Sequence, residues 1–240
     1  MTYCLGIKVK GGLIALADTR ITAGTNATTS RKISTHQIGK NSIFLMTSGL
    51  RSVRDKAITY FEEELLEGDF KFNKMYKVVN SFGELLRRVA KEDKAALASS
   101  GLNFNLHTII CGQLQEDDTH KLYLVYPEGN WIEIGEATPF AIIGNTGFGQ
   151  PILNRAVTFD SSLRFALKTG FLSFDSTRVS ASDVGYPLDI VIYKTDSFEM
   201  NEQRFTYDEL KPIAKEWAEM LKESVKQLPE DWMDNLLKQE

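Results

Sequence analysis

Apolar positions along this chain follow two rhythms, one strand-like and one helical, and the rhythms alternate in blocks. The first block is strand-like. Met1-Thr2 runs straight into the apolar stretch Tyr3-Cys4-Leu5-Gly6-Ile7-Lys8-Val9. Gly11-Gly12 signals a hairpin turn, and Leu13-Ile14-Ala15-Leu16-Ala17 reads as a buried strand ending in Asp18-Thr19-Arg20. A polar loop from Ile21 to Ser30 leads to Arg31-Lys32-Ile33, and Ile43-Phe44-Leu45-Met46-Thr47-Ser48-Gly49 follows as a strand. The rhythm then changes. Leu50, Val53, Ala57, Phe61 and Leu65 recur at spacings of three and four, which predicts an amphipathic helix ending near Gly68. A second helix carries Met75, Val78, Val79, Phe82, Leu85, Leu86 and Val89 on one face. Both stripes read as core-facing.

A second strand block covers Leu106 to Gly112, Lys121 to Tyr126, Trp131 to Ile134 and Phe140 to Ile143, with Glu128-Gly129-Asn130 turning one hairpin. Helices then return. Pro151 suits the first turn of one. Leu163, Ala166, Leu167, Phe171 and Phe174 form the stripe of another, interrupted by Gly170, an unfavourable residue in a helix interior. Asp189-Ile190-Val191-Ile192-Tyr193 is expected to close the sheet. Segregated blocks of this kind predict an α+β fold, two antiparallel sheets packed face to face with helices outside: a four-layer αββα sandwich over residues 1–200.

Residues 201–240 read as a separate helical extension. Thr206-Tyr207-Asp208-Glu209 is a capping box, and Ile213, Trp217, Met220, Leu221 and Val225 form a stripe. Pro212, within the first two turns, predicts a kink or a later start. Pro229 then opens a short helix with Trp232, Met233, Leu236 and Leu237. The extension either packs on the domain or contacts a neighbouring subunit.

Composition narrows the function classes. The 240 residues are 42% hydrophobic and 25% charged, an ordinary balance with ample chain for a core. A net charge of −4 leaves no electrostatic footprint for nucleic acid. No apolar run is long enough to span a membrane. Cys4 and Cys111 sit in apolar segments and read as reduced core residues, which points to the cytoplasm. His36, His107 and His120 lie in unrelated contexts, no Gly-x-Ser-x-Gly elbow occurs, and no Cys/His spacing makes a zinc site. Gly144-Asn145-Thr146-Gly147-Phe148-Gly149 lacks the lysine and the strand–helix setting of a phosphate loop, and reads as a turn feeding a helix.

The candidate chemistry is at the start of the chain, ahead of which no leader is expected. If Met1 is removed, Thr2 carries both a hydroxyl and an α-amine whose reference pKa is about 7.7–8.0. One residue then supplies a nucleophile and its base. Asp18 and Lys32 are each expected at a strand margin of the small sheet that holds Thr2. Lys32 near the amine favours its neutral, proton-accepting form by like-charge repulsion, and Asp18 holds Lys32 charged and aimed. At a margin, Lys32 is expected to be dispensable for folding. An ordinary ion pair at the end of a sheet accounts for the same two residues.

Thr2, Asp18-x-Arg20, Lys32 and Thr47-Ser48-Gly49 together resemble the N-terminal threonine hydrolases of the proteasome β-subunit kind. Within them the chain is most similar to the ancestral β-subunit group, Anbu. That group begins at Met-Thr without a propeptide and has an Arg-Lys-Ile-like segment. It also has a Tyr/Phe-Gly-x-Pro-Ile-Leu segment, here Phe148-Gly149-Gln150-Pro151-Ile152-Leu153. The resemblance covers residues 2–200, and the group also carries a helical tail.

The resemblance implies the αββα fold and hydrolysis of peptide or protein substrates by Thr2, with no metal or cofactor. It implies homo-oligomers of open or helical form. Gly49 then offers its backbone N–H to an oxyanion, Thr47 floors the substrate pocket, and Ile21 and Arg51 are its walls. Thr146 takes the place of a serine near the nucleophile, with Asn145 an inserted neighbour, and Asp183 matches the aspartate that supports this hydroxyl. One departure stands out. The family's Asp-x-x-Ser-Gly is here Asp183-Val184-Gly185-Tyr186-Pro187, so a supporting hydroxyl is missing or supplied by Tyr186. Two other readings stay open. One is an amidohydrolase for small amides or peptides, since no signature for docking an unfoldase occurs. The other is a weakly active, self-assembling structural subunit.

Overall fold

The computed structural model describes residues 2–23, 26–66 and 70–237. The chain divides into a first unit ending at Phe205 and a second beginning at Thr206. In the first unit the strand block opens with β1 (Tyr3–Val9) and β2 (Gly12–Asp18), joined by a hairpin whose turn is Lys10-Gly11, one residue before the expected Gly11-Gly12, since Gly12 pairs with Val9. Next come β3 (Arg20–Ala23), β4 (Asn26–Thr29), β5 (Ile33–Ile38) and β6 (Asn41–Gly49). Helices α1 (Arg51–Leu66) and α2 (Met75–Ser99) follow, and then β7 (Leu106–Gln113), β8 (Lys121–Val125), β9 (Trp131–Glu133) and β10 (Phe140–Gly144). Helices α3 (Gln150–Ala156) and α4 (Leu163–Ser180) precede β11 (Leu188–Lys194) and β12 (Met200–Phe205). The expected end of helix α1 near Gly68 lies outside the described residues.

Two five-stranded antiparallel sheets result, ordered β10-β1-β2-β11-β12 and β5-β6-β7-β8-β9. Strand alternation sorts their side chains. Cys4, Ala15 and Ala17 of the first sheet meet Phe44, Met46, Ile109, Cys111 and Leu122 of the second in the layer between them. The opposite face of the second sheet, with Ile43, Leu45, Ile110 and Tyr123, packs on Val53, Ala57, Phe61, Val78, Phe82 and Leu86 from α1 and α2. Phe61 and Phe82 meet edge to face at 5.3 Å, and burial of each ring contributes about 1.5–3 kcal/mol. Helix α4 covers β1 and β2 on the other side, with α3 beside it. The four layers are those expected.

Three details differ from the sequence reading. The polar loop after Arg20 is the two-stranded hairpin β3–β4, whose strands of four residues, Arg20-Ile21-Thr22-Ala23 and Asn26-Ala27-Thr28-Thr29, are too short for their alternation to stand out from a loop. Strand β11 does not close its sheet: β12 lies outside it. The β12 sequence Met200-Asn201-Glu202-Gln203-Arg204-Phe205 is mostly exposed, as an edge strand can be, so hydrophobicity does not mark it. The expected boundary at residue 200 therefore falls at the start of a paired strand. Finally, Lys32 leads into β5, a strand of the sheet opposite the one that Thr2 leads into and Asp18 belongs to.

The second unit begins with α5 (Tyr207–Lys226), where the Thr206 N–H donates to Glu209 Oε2 at 2.7 Å. The helix runs through Pro212 without a break. A 3₁₀ turn (Asp231–Met233) and α6 (Asp234–Leu237) follow. No described helix is long and apolar enough to cross a membrane.

One buried polar group gives the first unit a pH dependence. His120 Nε2 lies 2.9 Å from the carbonyl oxygen of Val9, and Nδ1 lies 3.0 Å from Thr195 Oγ1. Burial pushes its pKa down from 6.5 to about 4, opposed by the Val9 carbonyl and Asp196 and reinforced by Lys8 and Lys121. Between those values the unfolded chain binds the proton first. Its contribution to stability is therefore full above about pH 6.5 and lost as pH falls toward 4. Urea midpoints should drop from pH 7 to pH 5, and drop less in His120→Gln. Equal drops in both proteins would remove His120 as the cause.

Candidate active site

Thr2 is the lead-in to β1, and a turn after β10 seats it. The Asn145 N–H donates to the Thr2 carbonyl oxygen at 2.7 Å. Gly144 has a φ of +91°, and a Cβ there would collide with that same oxygen, so the close approach requires glycine. The next residue, Tyr3, donates its N–H to Asp18 Oδ1 at 2.9 Å. Lys32 Nζ donates to the same oxygen at 2.6 Å and to the Arg20 carbonyl at 2.8 Å. The Gly185 N–H approaches Asp18 Oδ2 at 3.4 Å.

This pair is not a surface ion pair. Asp18 is fully buried and Lys32 is 5% exposed, and the pair spans the two sheets rather than lying within one. Burial pushes the Asp18 carboxyl above the usual carboxylate range, while Lys32 and the N–H groups of Tyr3 and Gly185 pull it back. Lys32 is thus part of the join between the layers. The expectation that it is dispensable for folding does not fit this burial.

At the end of β6, Gly49 is exposed and has a φ of +153°, and a Cβ there would collide with the Asn105 carbonyl oxygen. The kink turns the chain into α1, and beneath it opens a cavity of about 650 Å³. Thr2, Ile21, Lys32, Thr47, Gly49, Arg51 and Thr146 all line it. Asp18 stands behind Lys32. Asp183 lies in the α4–β11 loop, which also supplies the Gly185 N–H to Asp18. The positive N-terminus of the chain, and more weakly Lys32, holds the Asp183 carboxyl below the usual carboxylate range. The structure therefore gathers the sequence-predicted residues into one place.

It also adds residues that sequence reasoning passed over. Arg54, Asn105, His107 and Tyr126 line the same cavity. His107, set aside as unrelated, stands opposite Ser48 in the β6–β7 register. Arg54 was legible in principle, because it follows Arg51 by one helical turn and so shares its face. Nothing local marks His107, since the register that brings it to Ser48 is a long-range pairing. Among the described residues, no three His, Cys, Asp or Glu side chains cluster as metal ligands.

Arranged in this way, the residues can deliver an N-terminal hydroxyl to a carbonyl held beneath Gly49, beside a buried lysine. Comparison with known proteins shows the family of the chain. The family described as Proteasome subunit matches residues 2–178. No curated relative matches the chain. Among solved structures, an Anbu mutant from Hyphomicrobium sp. strain MC1 shares 30% identity over 96% of this chain and 99% of its own, with a TM-score of 0.88. Anbu from Yersinia bercovieri shares 29% identity over 95% and 98% of the two chains, with a TM-score of 0.87. The helical assembly of the Anbu complex from Pseudomonas aeruginosa shares 30% over 95% and 97%, with a TM-score of 0.88. This chain belongs to the proteasome-subunit family and, within it, to the Anbu group of ancestral β-subunits.

Proposed function

We propose that this chain is a threonine-type peptide and amide hydrolase that acts from residue 2 once Met1 is removed. The observation that carries the reading is the buried Lys32–Asp18 pair, anchored on the Tyr3 N–H, at the wall of the cavity that Thr2 and Gly49 share. The Thr2 hydroxyl attacks the carbonyl carbon, and its proton passes to the Thr2 amine directly or through a water. The Gly49 N–H faces the oxyanion, an interaction whose loss costs on the order of 3 kcal/mol in the transition state. The intermediate collapses by breaking the C–N bond, and the amine half leaves with the proton. Water, deprotonated by the same amine, then hydrolyses the Thr2 ester and regenerates the hydroxyl. Lys32 keeps the amine neutral by repulsion, Asp18 holds Lys32, and Thr146 with Asp183 supports the proton's path. Thr47, Ile21 and Arg51 bound the side chain of the substrate. No step calls for a metal or cofactor. A panel of peptides and small amides, assayed with the chain that begins at Thr2, tests the reading. Turnover of small amides alone would favour an amidohydrolase, and no turnover would favour a structural subunit.

The protein acts in the cytoplasm in this reading, where the buried free thiols of Cys4 and Cys111 stay reduced. It forms homo-oligomers of open or helical type, by similarity to the Pseudomonas aeruginosa protein, whose solved form is a helical assembly. Helix α5 aligns Ile213, Trp217, Met220 and Leu221 along one face, and none of them is buried within its unit. Aromatic anchors on such faces carry much of the energy of interfaces. A chain truncated after Phe205 should stay folded, since its core is its own, and give smaller particles by light scattering. Full-size particles would take the tail out of assembly.

A further inference from the structure

The charged side chains that line the active-site cavity are of one sign. Arg20, Lys32, Arg51 and Arg54 face it, and among the described residues no Asp or Glu does. Their partners leave the positive charge in excess. Asp18 pairs with Lys32, while Arg51 and Arg54 share the single carboxylate of Asp55, at 3.3 and 2.6 Å. Arg51 is 66% exposed and sits at the rim, whereas Arg54 is 13% exposed and forms wall. Arg20 Nε is buried without a hydrogen-bond partner. The floor repeats the theme. Thr47, which lines the cavity, is 2% exposed and its hydroxyl has no partner. Buried donors without acceptors are costly, and a ligand that brings an acceptor relieves them.

From this arrangement we propose, resting on the amide-hydrolase reading, that the cavity selects substrates whose side chain next to the attacked carbonyl is a carboxylate. Arg54 is the main determinant, Arg51 guides entry at the rim, and the Thr47 hydroxyl supplies the floor donor. A guanidinium presents a fork that matches a carboxylate, and a poorly hydrated wall strengthens the bond.

The test uses N-acetyl peptide amides that differ only in Glu, Gln or Lys at that position, with the chain that begins at Thr2. Both turnover and equilibrium binding by calorimetry are measured. Glu should exceed Gln by about ten- to a hundredfold in kcat/KM and in affinity, the size of a charge-assisted hydrogen bond, and Lys should rank last. In Arg54→Gln, with folding verified by circular dichroism, the ratio of Glu to Gln should fall toward one. In Arg51→Gln it should fall less. Cleavage of Gln or Lys peptides as fast as Glu overturns the charge selection and leaves the hydrolase reading standing. No cleavage, together with tighter binding of Glu, overturns the hydrolase reading and keeps the selection. Equal binding of all three peptides, or no measurable binding of Glu, overturns the selection whatever turnover shows.

Discussion

Turnover is expected only from the chain that begins at Thr2. With Met1 attached, the Thr2 nitrogen is a peptide amide whose lone pair is delocalised into the carbonyl, and it cannot accept the proton of the hydroxyl at any working pH. Removing Met1 turns that nitrogen into an amine with a reference pKa of about 7.7–8.0. The remaining parts do not depend on Met1: the Thr2 carbonyl is held by the Asn145 N–H, and Lys32 is fixed by Asp18 and the Arg20 carbonyl. The measurement is to prepare both forms, identify each by intact mass, and assay them side by side. Activity of the processed form should fall as pH drops below the pKa of the amine, because protonation removes the base. Lys32 should move that inflection below the reference value, since a neighbouring positive charge disfavours a second one. Equal turnover from the Met1-bearing form would remove the amine from the mechanism, and with it the reason for choosing Thr2.

The second large effect is expected from Lys32→Ala, and it is double. Turnover should fall by about a hundred- to ten-thousandfold, the usual cost of losing a general base or what tunes it. Stability should fall as well, by about 3–5 kcal/mol, because the substitution leaves the fully buried Asp18 without its countercharge. The two effects can be separated. A double variant, Asp18→Asn with Lys32→Met, keeps an acceptor for the Tyr3 N–H while removing both charges. Replacing a buried pair in this way is often neutral. The double variant should regain most of the stability measured by urea unfolding and none of the turnover. Recovery of both together would reduce the pair to a structural join. So would undiminished turnover in Lys32→Ala.

The sequence by itself determined the order of the core strands and of the helices. Strand and helix rhythms differ in period, so the stripes of α1 and α2 and the apolar runs of β1, β2, β6 and β7 could be read locally, and their segregation into blocks pointed to four layers. Short motifs could be matched to the family in the same way, so that Thr2, Asp18-x-Arg20, Lys32 and Gly49 stood out as candidates, because a motif is a matter of adjacency. It failed where strands are short or mostly polar, as in the β3–β4 hairpin and β12, which look like loops.

Only the tertiary structure decided what those residues do to one another. Asp18 ends β2 and Lys32 leads into β5 of the opposite sheet, and their pairing became a buried link between layers once the sheets stacked. His107 reached the cavity through a strand register with no local signature, and Arg54 became a cavity wall when α1 packed on β6. Gly170, a defect by helix propensity, sits where a Cβ would press on Leu16 and Ile7, so it admits α4 close to the first sheet. Propensity and periodicity act over a few residues, whereas burial, charge and the shape of a cavity are set by neighbours distant in the chain. That is why the elements of this protein could be read from its sequence, while the charge of its pocket and the depth of its ion pair could not.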